Sequence, residues 1–243
     1  MRVLVTGGIG KLGRELEAEL PNLGVEAYFP ANADLNVTLP DTIRASLERY
    51  ELDVVVHAAY TDVKGAETQK NLCWKVNVEG TRHVVRELMG SLAKMVRIST
   101  DYVFWGDRGG YGENDSVGPP RNYYALSKLA AEEVARVSTD TLIIRTSFRP
   151  REWPYPVAFA DVYTSQDYVD VIAPEIALVI RYASVINKAT LHIATERKTA
   201  YELARRRNCA VKPGTRHEAG VELPADISLA TECWQTIKAQ ISP

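Results

Sequence analysis

Cysteine is scarce in these 243 residues: Cys73, Cys209 and Cys233 are the whole set, odd in number, and none belongs to a C-x-x-C pair. That argues against a disulfide framework or a thiolate zinc site and fits a reducing compartment. Long apolar runs are missing as well. No stretch approaches the roughly 20 apolar residues that a membrane-spanning helix needs, and the apolar start of MRVLVTGG meets glycine too soon for a signal-peptide core. Nor does charge of one sign dominate. The formal net charge is −2, and the one tight basic run, Arg205, Arg206 and Arg207, falls in a helix-like segment from Thr199 to Arg207, where it reads as a solvated face. The histidines His57, His83, His192 and His217 show no ligand spacing, so no metal is expected. With no repeat and no low-complexity segment, the expectation is a cytoplasmic globular chain without a nucleic-acid or membrane partner.

What is there is ordinary for a packed domain: 46% hydrophobic and 25% charged residues. Short apolar runs alternate with helical patterns. Val3 to Val5 reads as a strand, followed by a helix from Lys11 to Leu20 that Pro21 should stop. Val25 to Phe29 is a second strand and Asp41 to Tyr50 a helix. The run DVVVHAA, Asp53 to Ala59, has the continuous β-branched character of a strand buried on both faces. A helix over much of Gln69 to Met89, a strand at Met95 to Ser99, a helix at Asn122 to Val137 and a strand at Thr141 to Arg145 continue the series. Such alternation predicts a doubly wound parallel sheet.

Gly7, Gly10 and Gly13 stand between the first strand and the first helix, satisfying G-x-x-G-x-x-G, while Gly8 offers a G-x-G-x-x-G register. A side-chain-free turn there lets backbone amides and a helix N-terminus approach a pyrophosphate. The second strand ends in Tyr28, Phe29 and Pro30, with neither acid nor arginine, so NADH and NADPH both stay open. Asp34 is at about the expected separation for a ribose contact, but a loop intervenes and adenine is an equal partner for it.

Tyr124 and Lys128, in YALSK, are four apart on a predicted helix and share a face. Thr100 ends a predicted strand, at the edge where open α/β sheets bind ligands. A tyrosine of ordinary pKa, about 10, is a poor proton carrier near neutrality, and a lysine ammonium beside it is expected to favour the phenolate. The threonine hydroxyl then holds the carbonyl oxygen that receives the proton. On these grounds Thr100, Tyr124 and Lys128 are the expected catalytic set.

Taken in order, TGGIGKLG, HAAYTDVKGAE, NVEGT, STDYVF and YALSK resemble an extended short-chain dehydrogenase. AAYTDVKGAE and STDYVF are similar to dTDP-4-dehydrorhamnose reductases and other sugar-nucleotide reductases. The resemblance implies an α/β Rossmann-type sheet with a small C-terminal substrate lobe. The NAD(P) domain would span residues 1–147, completed by 166–195, with 148–165 and 196–243 forming the lobe. It implies an NAD(P)H-dependent reductase acting on a keto group of a sugar nucleotide or related polar carbonyl. NAD or NADP contacts would come from Gly7, Gly10, Lys11, Leu12, Gly13, Asp34, Leu35, Ala58, Ala59, Tyr60 and Ser99, besides Tyr124 and Lys128. Asn77 would support the strand carrying the alanines. Substrate contacts would fall on Thr61, Asp62, Val103, Phe104, Arg149 and Trp153. A homodimer is a further implication.

Two departures from the family pattern matter. Asp101 is followed by Tyr102, where the related dehydratases place an Asp–Glu pair, which argues against elimination chemistry. The region after RTS is compressed, and its FRPREWPYP, Phe148 to Pro156, is either a wall over the site or a structural crossing. Arg149, Arg151 and Trp153 are equally suited to phosphate and base contacts or to a salt bridge and a core tryptophan. Beyond it, Asp167 to Tyr182 returns to helical patterning with Pro174 as a candidate kink, and Thr190 to Ala194 reads as a last strand. His57 reads as packing beside the cofactor. An epimerase, and a non-catalytic NAD(P)-binding subunit, are the alternatives to a reductase.

Overall fold

The computed structural model describes residues 1–137 and 140–241. The elements follow in chain order as β1 (Arg2–Thr6), α1 (Lys11–Asn22), β2 (Glu26–Tyr28), α2 (Pro40–Arg49) and β3 (Val54–His57). Next come α3 (Val63–Thr68), α4 (Lys70–Trp74), a π-helical turn (Lys75–Glu79), α5 (Gly80–Glu87) and β4 (Lys94–Thr100). A 3-10 turn (Asp101–Val103) leads toward α6 (Tyr123–Ala135) and β5 (Thr141–Thr146). The remainder is β6 (Phe148–Arg149), β7 (Val157–Phe159), β8 (Tyr163–Thr164), β9 (Asp167–Tyr168), α7 (Val169–Arg181) and β10 (Thr190–His192). It closes with β11 (Lys198–Thr199), α8 (Ala200–Arg205), β12 (Lys212–Gly214) and α9 (Glu232–Ile241).

Six parallel strands form the central sheet in the order β10-β5-β4-β3-β1-β2. Their alternating side chains build two cores. Val3, Val5, Val54, Val56, Val96 and Ile98 pack on one face with Leu12, Leu16 and Leu20 of α1, Ile172 and Ile176 of α7, and Trp234. Leu4, Val55 and Met95 pack on the other with Ile43 of α2, Val84 and Val85 of α5, and Leu88 just after it. The sheet is therefore the expected doubly wound α/β type. The chain turns outward in opposite directions from β1 toward β2 and β3, and a crevice opens beyond the carboxyl ends of these strands.

Several boundaries differ from the sequence expectation. Pro21 sits in the last turn of α1 instead of stopping it, and Gly24, with φ of 68°, makes the turn into Val25. The expected Gln69–Met89 helix starts earlier and is broken into three helices and the π turn. Pro174 leaves α7 unbroken. The arginine run is not a plain solvated face: Arg206 pairs with Asp167 at 2.9 Å and with Glu196, and Arg207 pairs with Asp170 at 2.9 Å over the Tyr168 ring.

Residues 148–168 and 198–214 join as three two-stranded sheets, β6–β9, β7–β12 and β8–β11, over the carboxyl edge of the large sheet. Trp153, Ala158, Tyr168, Leu203 and Val211 form their own small core. The last residues of the expected C-terminal lobe, Ser242 and Pro243, lie outside the described residues.

Candidate active site

The turn after β1 is shaped for a phosphate. Gly7 has φ of 71°, and a Cβ there would stand 2.9 Å from the Ala59 backbone. The N-cap of α1 is Gly10, in extended geometry, with no side-chain cap and no acid in the first turn. The orphan amides of that turn and the positive end of the helix are left for an anion. Beyond the turn runs a cleft of about 380 Å³ between Gly7, Ile9 and Gly10 on one side and Leu35, Val37, Ala58 and Ala59 on the other. Its glycine rim, with Asn32, Asn36 and Thr38 beside the apolar side chains, fits a dinucleotide pyrophosphate and adenine.

A buried polar chain fixes the floor of that cleft. Thr6 Oγ1 lies 2.7 Å from His57 Nδ1, and His57 Nε2 lies 3.1 Å from Thr81 Oγ1. Burial, then Arg97 and Lys128, hold the His57 imidazole well below its ordinary pKa, in its neutral form. Asn77, in the π turn, accepts the Thr61 N–H at 2.8 Å and donates to Ser127 Oγ of α6 at 2.9 Å. It thereby ties the loop carrying Ala58, Ala59 and Tyr60 to the helix carrying Tyr124.

The second cleft, about 190 Å³, adjoins the first through Ala58 and Tyr60. Thr100, Tyr124 and Lys128 all line it, with Leu12, Tyr60, Asp62 and Ser99 around them. Tyr124 is set by the start of α6: Asn122 Oδ1 accepts the Ala125 N–H, and Glu67 Oε1 accepts the N–H groups of Tyr123 and Tyr124 at 2.8 and 3.2 Å. One turn on, Lys128 Nζ donates to Ile98 O at 2.7 Å. The next turn places Glu132, which accepts from Ser99 Oγ at 2.5 Å and pairs with Arg145 at 2.8 Å.

The electrostatics differ from the sequence expectation. Burial raises the Tyr124 phenol above its ordinary range, so it keeps its proton near neutrality. Burial and then Arg97 hold Lys128 well below the lysine range, and Lys128 does not by itself bring the phenol down. A raised phenol holds its proton across the neutral range and is a weaker acid than an ordinary tyrosine, so it gives that proton up only to a strongly basic acceptor such as an alkoxide. Next to Thr100, burial pushes Asp101 up to about 7.

A third cavity, of about 450 Å³, opens from this end and is lined by Asp101, Tyr102, Arg149, Trp153, Tyr155 and Phe159 among others. The segment 148–156 is thus a wall of the site, and its residues divide the alternatives left open by the sequence. Arg151 makes a two-toothed salt bridge to Glu15 of α1, at 2.8 and 2.7 Å. Arg149 lines both the catalytic cleft and the third cavity, its guanidinium 5.2 Å from the Trp153 ring. Arg149 Nε and Trp153 Nε1 are buried without a hydrogen-bond partner among the described residues.

Not every predicted position reaches a cleft. Val103 and Phe104 are buried, with Phe104 stacked on Tyr111 at 4.4 Å, because the 3-10 turn after Thr100 drives both into the core. Asp34 is exposed, since the turn after β2 directs its neighbour Leu35 inward instead. Lys11 is exposed outside the clefts, and Gly13 lies beneath the turn against Gly8. Thr61 lines the dinucleotide cleft instead of the substrate end. Sequence reasoning missed Tyr102, Ser147 and Gln166, which line both the catalytic cleft and the third cavity. The place of Ser147, directly after a strand end, was the available signal for it.

The family described as RmlD substrate binding domain matches residues 1–172. A dTDP-4-dehydrorhamnose reductase of Mycobacterium tuberculosis is 35% identical over 156 residues, 60% of this chain and 50% of that protein. The spore coat polysaccharide biosynthesis protein SpsK of Bacillus subtilis is 37% identical over 150 residues, 60% of this chain and 53% of that protein. The chain spans about half the length of the curated relatives it matches. Among solved structures, a hypothetical dTDP-4-dehydrorhamnose reductase from Sulfolobus tokodaii superposes with a TM-score of 0.82 at 31% identity, covering 98% of this chain and 94% of that one. The Bacillus anthracis dTDP-4-dehydrorhamnose reductase in complex with NADP gives 0.82 at 26% identity, over 97% and 91%. With two-thirds of its length inside the family pattern and the glycine turn and YALSK helix meeting at one crevice, the chain belongs to the RmlD substrate binding domain family.

Proposed function

We propose that this chain is an NAD(P)H-dependent reductase of a keto group on a sugar nucleotide. The observation that carries the reading is the single crevice in which Thr100, Tyr124 and Lys128 adjoin a glycine-walled dinucleotide cleft through Ala58 and Tyr60. When bound there, the nicotinamide cofactor supplies a hydride to the carbonyl carbon. Gly7, Gly10 and the first amides of α1 hold its pyrophosphate, and Leu35 and Val37 border its adenine. Tyr124 gives the proton to the carbonyl oxygen, Thr100 orients that oxygen, and Lys128, anchored by its Nζ donating to Ile98 O, would bond the nicotinamide ribose. Arg149 meets a phosphate of the substrate with the guanidinium it holds beside the crevice, and the Trp153–Tyr155 wall meets its base.

The test follows cofactor absorbance with a 4-keto-6-deoxy sugar nucleotide. Oxidation of NADH or NADPH is expected, and Tyr124→Phe should cut kcat by about 10²- to 10⁴-fold while leaving dinucleotide binding intact. Full activity in that variant removes Tyr124 from the chemistry. A product formed without net cofactor consumption converts the reading to epimerisation.

A further inference from the structure

Thr100 has one hydroxyl hydrogen and two lone pairs to distribute. Tyr102 N–H donates to Thr100 Oγ1 at 3.2 Å, and Oγ1 lies 3.1 Å from Asp101 Oδ1. Thr100 and Tyr124 line the same cleft, and the Thr100 hydroxyl acts on the phenol against the effect of burial. An ionised Asp101 can only accept, so it captures the Thr100 hydrogen, and the remaining lone pair of Oγ1 draws the Tyr124 hydrogen away from the cleft. A protonated Asp101 reverses the order. Its O–H donates to Oγ1, the Thr100 hydrogen turns toward the Tyr124 oxygen, and the Tyr124 hydrogen is released toward a carbonyl.

Asp101 is 1% exposed, yet its residue borders the third cavity. Facing it are Ser147 from the strand end, Arg149 of β6, Tyr102 of its own turn and Tyr124 of α6. Burial outweighs the hydrogen bonds from Thr100 and Ser147 and the charge of Arg149, and the carboxyl titrates at about 7.

We propose that neutral Asp101 sets the direction of an Asp101–Thr100–Tyr124 hydrogen chain and supplies the proton that replaces the one Tyr124 gives away. The inference rests on the carbonyl-reductase reading above. Once its carbon has received the hydride, the carbonyl oxygen takes the Tyr124 proton. The phenolate takes the Thr100 hydrogen, Thr100 takes the Asp101 hydrogen, and Asp101 is left as a carboxylate. Water in the third cavity restores it, so one turnover consumes one hydride and one solvent proton.

Two measurements test the chain, one without substrate. A carboxyl whose pKa is higher in the folded state than in the unfolded chain contributes stability that is complete below the unfolded value and is lost as pH rises through the folded one. The denaturant midpoint of the wild type minus that of Asp101→Asn should therefore fall from about pH 4 to about pH 7 and then level; a difference constant with pH overturns the proposal. In the second measurement, kcat/KM of the wild type should fall about tenfold per pH unit above about 7. D101N should lose that limb. Its first turnover should stay within about threefold of wild type while later turnovers slow by about tenfold or more. A wild-type profile flat from about pH 6 to about 9, or the same limb in D101N, overturns the relay. A wild type that reduces no carbonyl sinks the reductase reading instead, and the stability measurement still reports where the Asp101 proton resides.

Discussion

A methyl group at position 13 would stand 2.1 Å from the Gly8 carbonyl oxygen, far inside van der Waals contact. Helix α1 can approach the phosphate turn only because that methyl is missing. Gly13→Ala should cost about 1–3 kcal/mol of stability, as overpacking does, and push the turn away from its phosphate. Thermal melts and a titration with NADPH would register it as a lower Tm and at least a roughly tenfold weaker Kd; an unchanged Kd would show that the turn tolerates the shift. The places of Gly13 in the turn and of Tyr124 and Lys128 on one helix face were legible in the sequence because each is set by short-range geometry, a turn or one helical step. Asp101 was not. Burial raises its carboxyl against the lowering pull of Ser147 and Arg149, more than 40 residues downstream, and sequence spacing carries no record of that balance.

The contrast between two helix N-termini shows the same limit one level up. α1 begins with its amides bare, whereas α6 has its first amides filled by Asn122 and by Glu67 of α3. Asn122 could be anticipated as a cap from position alone. Glu67, more than 50 residues away, could not. A carboxylate at a helix N-terminus stabilises by up to about 2 kcal/mol in partly buried geometry. Glu67→Ala should accordingly lower stability by about 1–2 kcal/mol and reduce kcat more than it raises KM, since it releases the turn bearing Tyr124; pH-matched melts and steady-state kinetics would check both. If KM alone moves, α6 holds its place without Glu67. The break from α3 to α5 escaped hydropathy for a related reason. A π turn keeps the apolar faces roughly in register while adding the residue that aims Asn77 at both Thr61 and Ser127.

At the scale of the molecule, the sheet and its two cores followed from alternation of apolar runs, because a strand buried on both faces has few other ways to be written. The cover made by residues 148–168 and 198–214 did not, since its strands are two or three residues long and pair across about 20 to 55 positions. That cover separates two neighbouring arginines into different duties. Arg151→Ala removes an exposed bridge to Glu15 and should change stability by no more than about 1 kcal/mol with KM unaltered. Arg149→Ala should raise the substrate KM about tenfold or more at near-constant stability, because a donor left unpaired inside the fold loses nothing there and a phosphate loses its partner. Equal effects of the two on KM would return both to the frame. The bare start of α1 has a last consequence, for the life of the protein in a cell. An occupant of that helix end binds the folded chain and not the unfolded one, worth about 2.7 kcal/mol at a hundredfold excess over its Kd. Loss of that occupant would then lower the stability of the folded chain and shorten its survival against proteases, so that its abundance tracks the supply of its ligand.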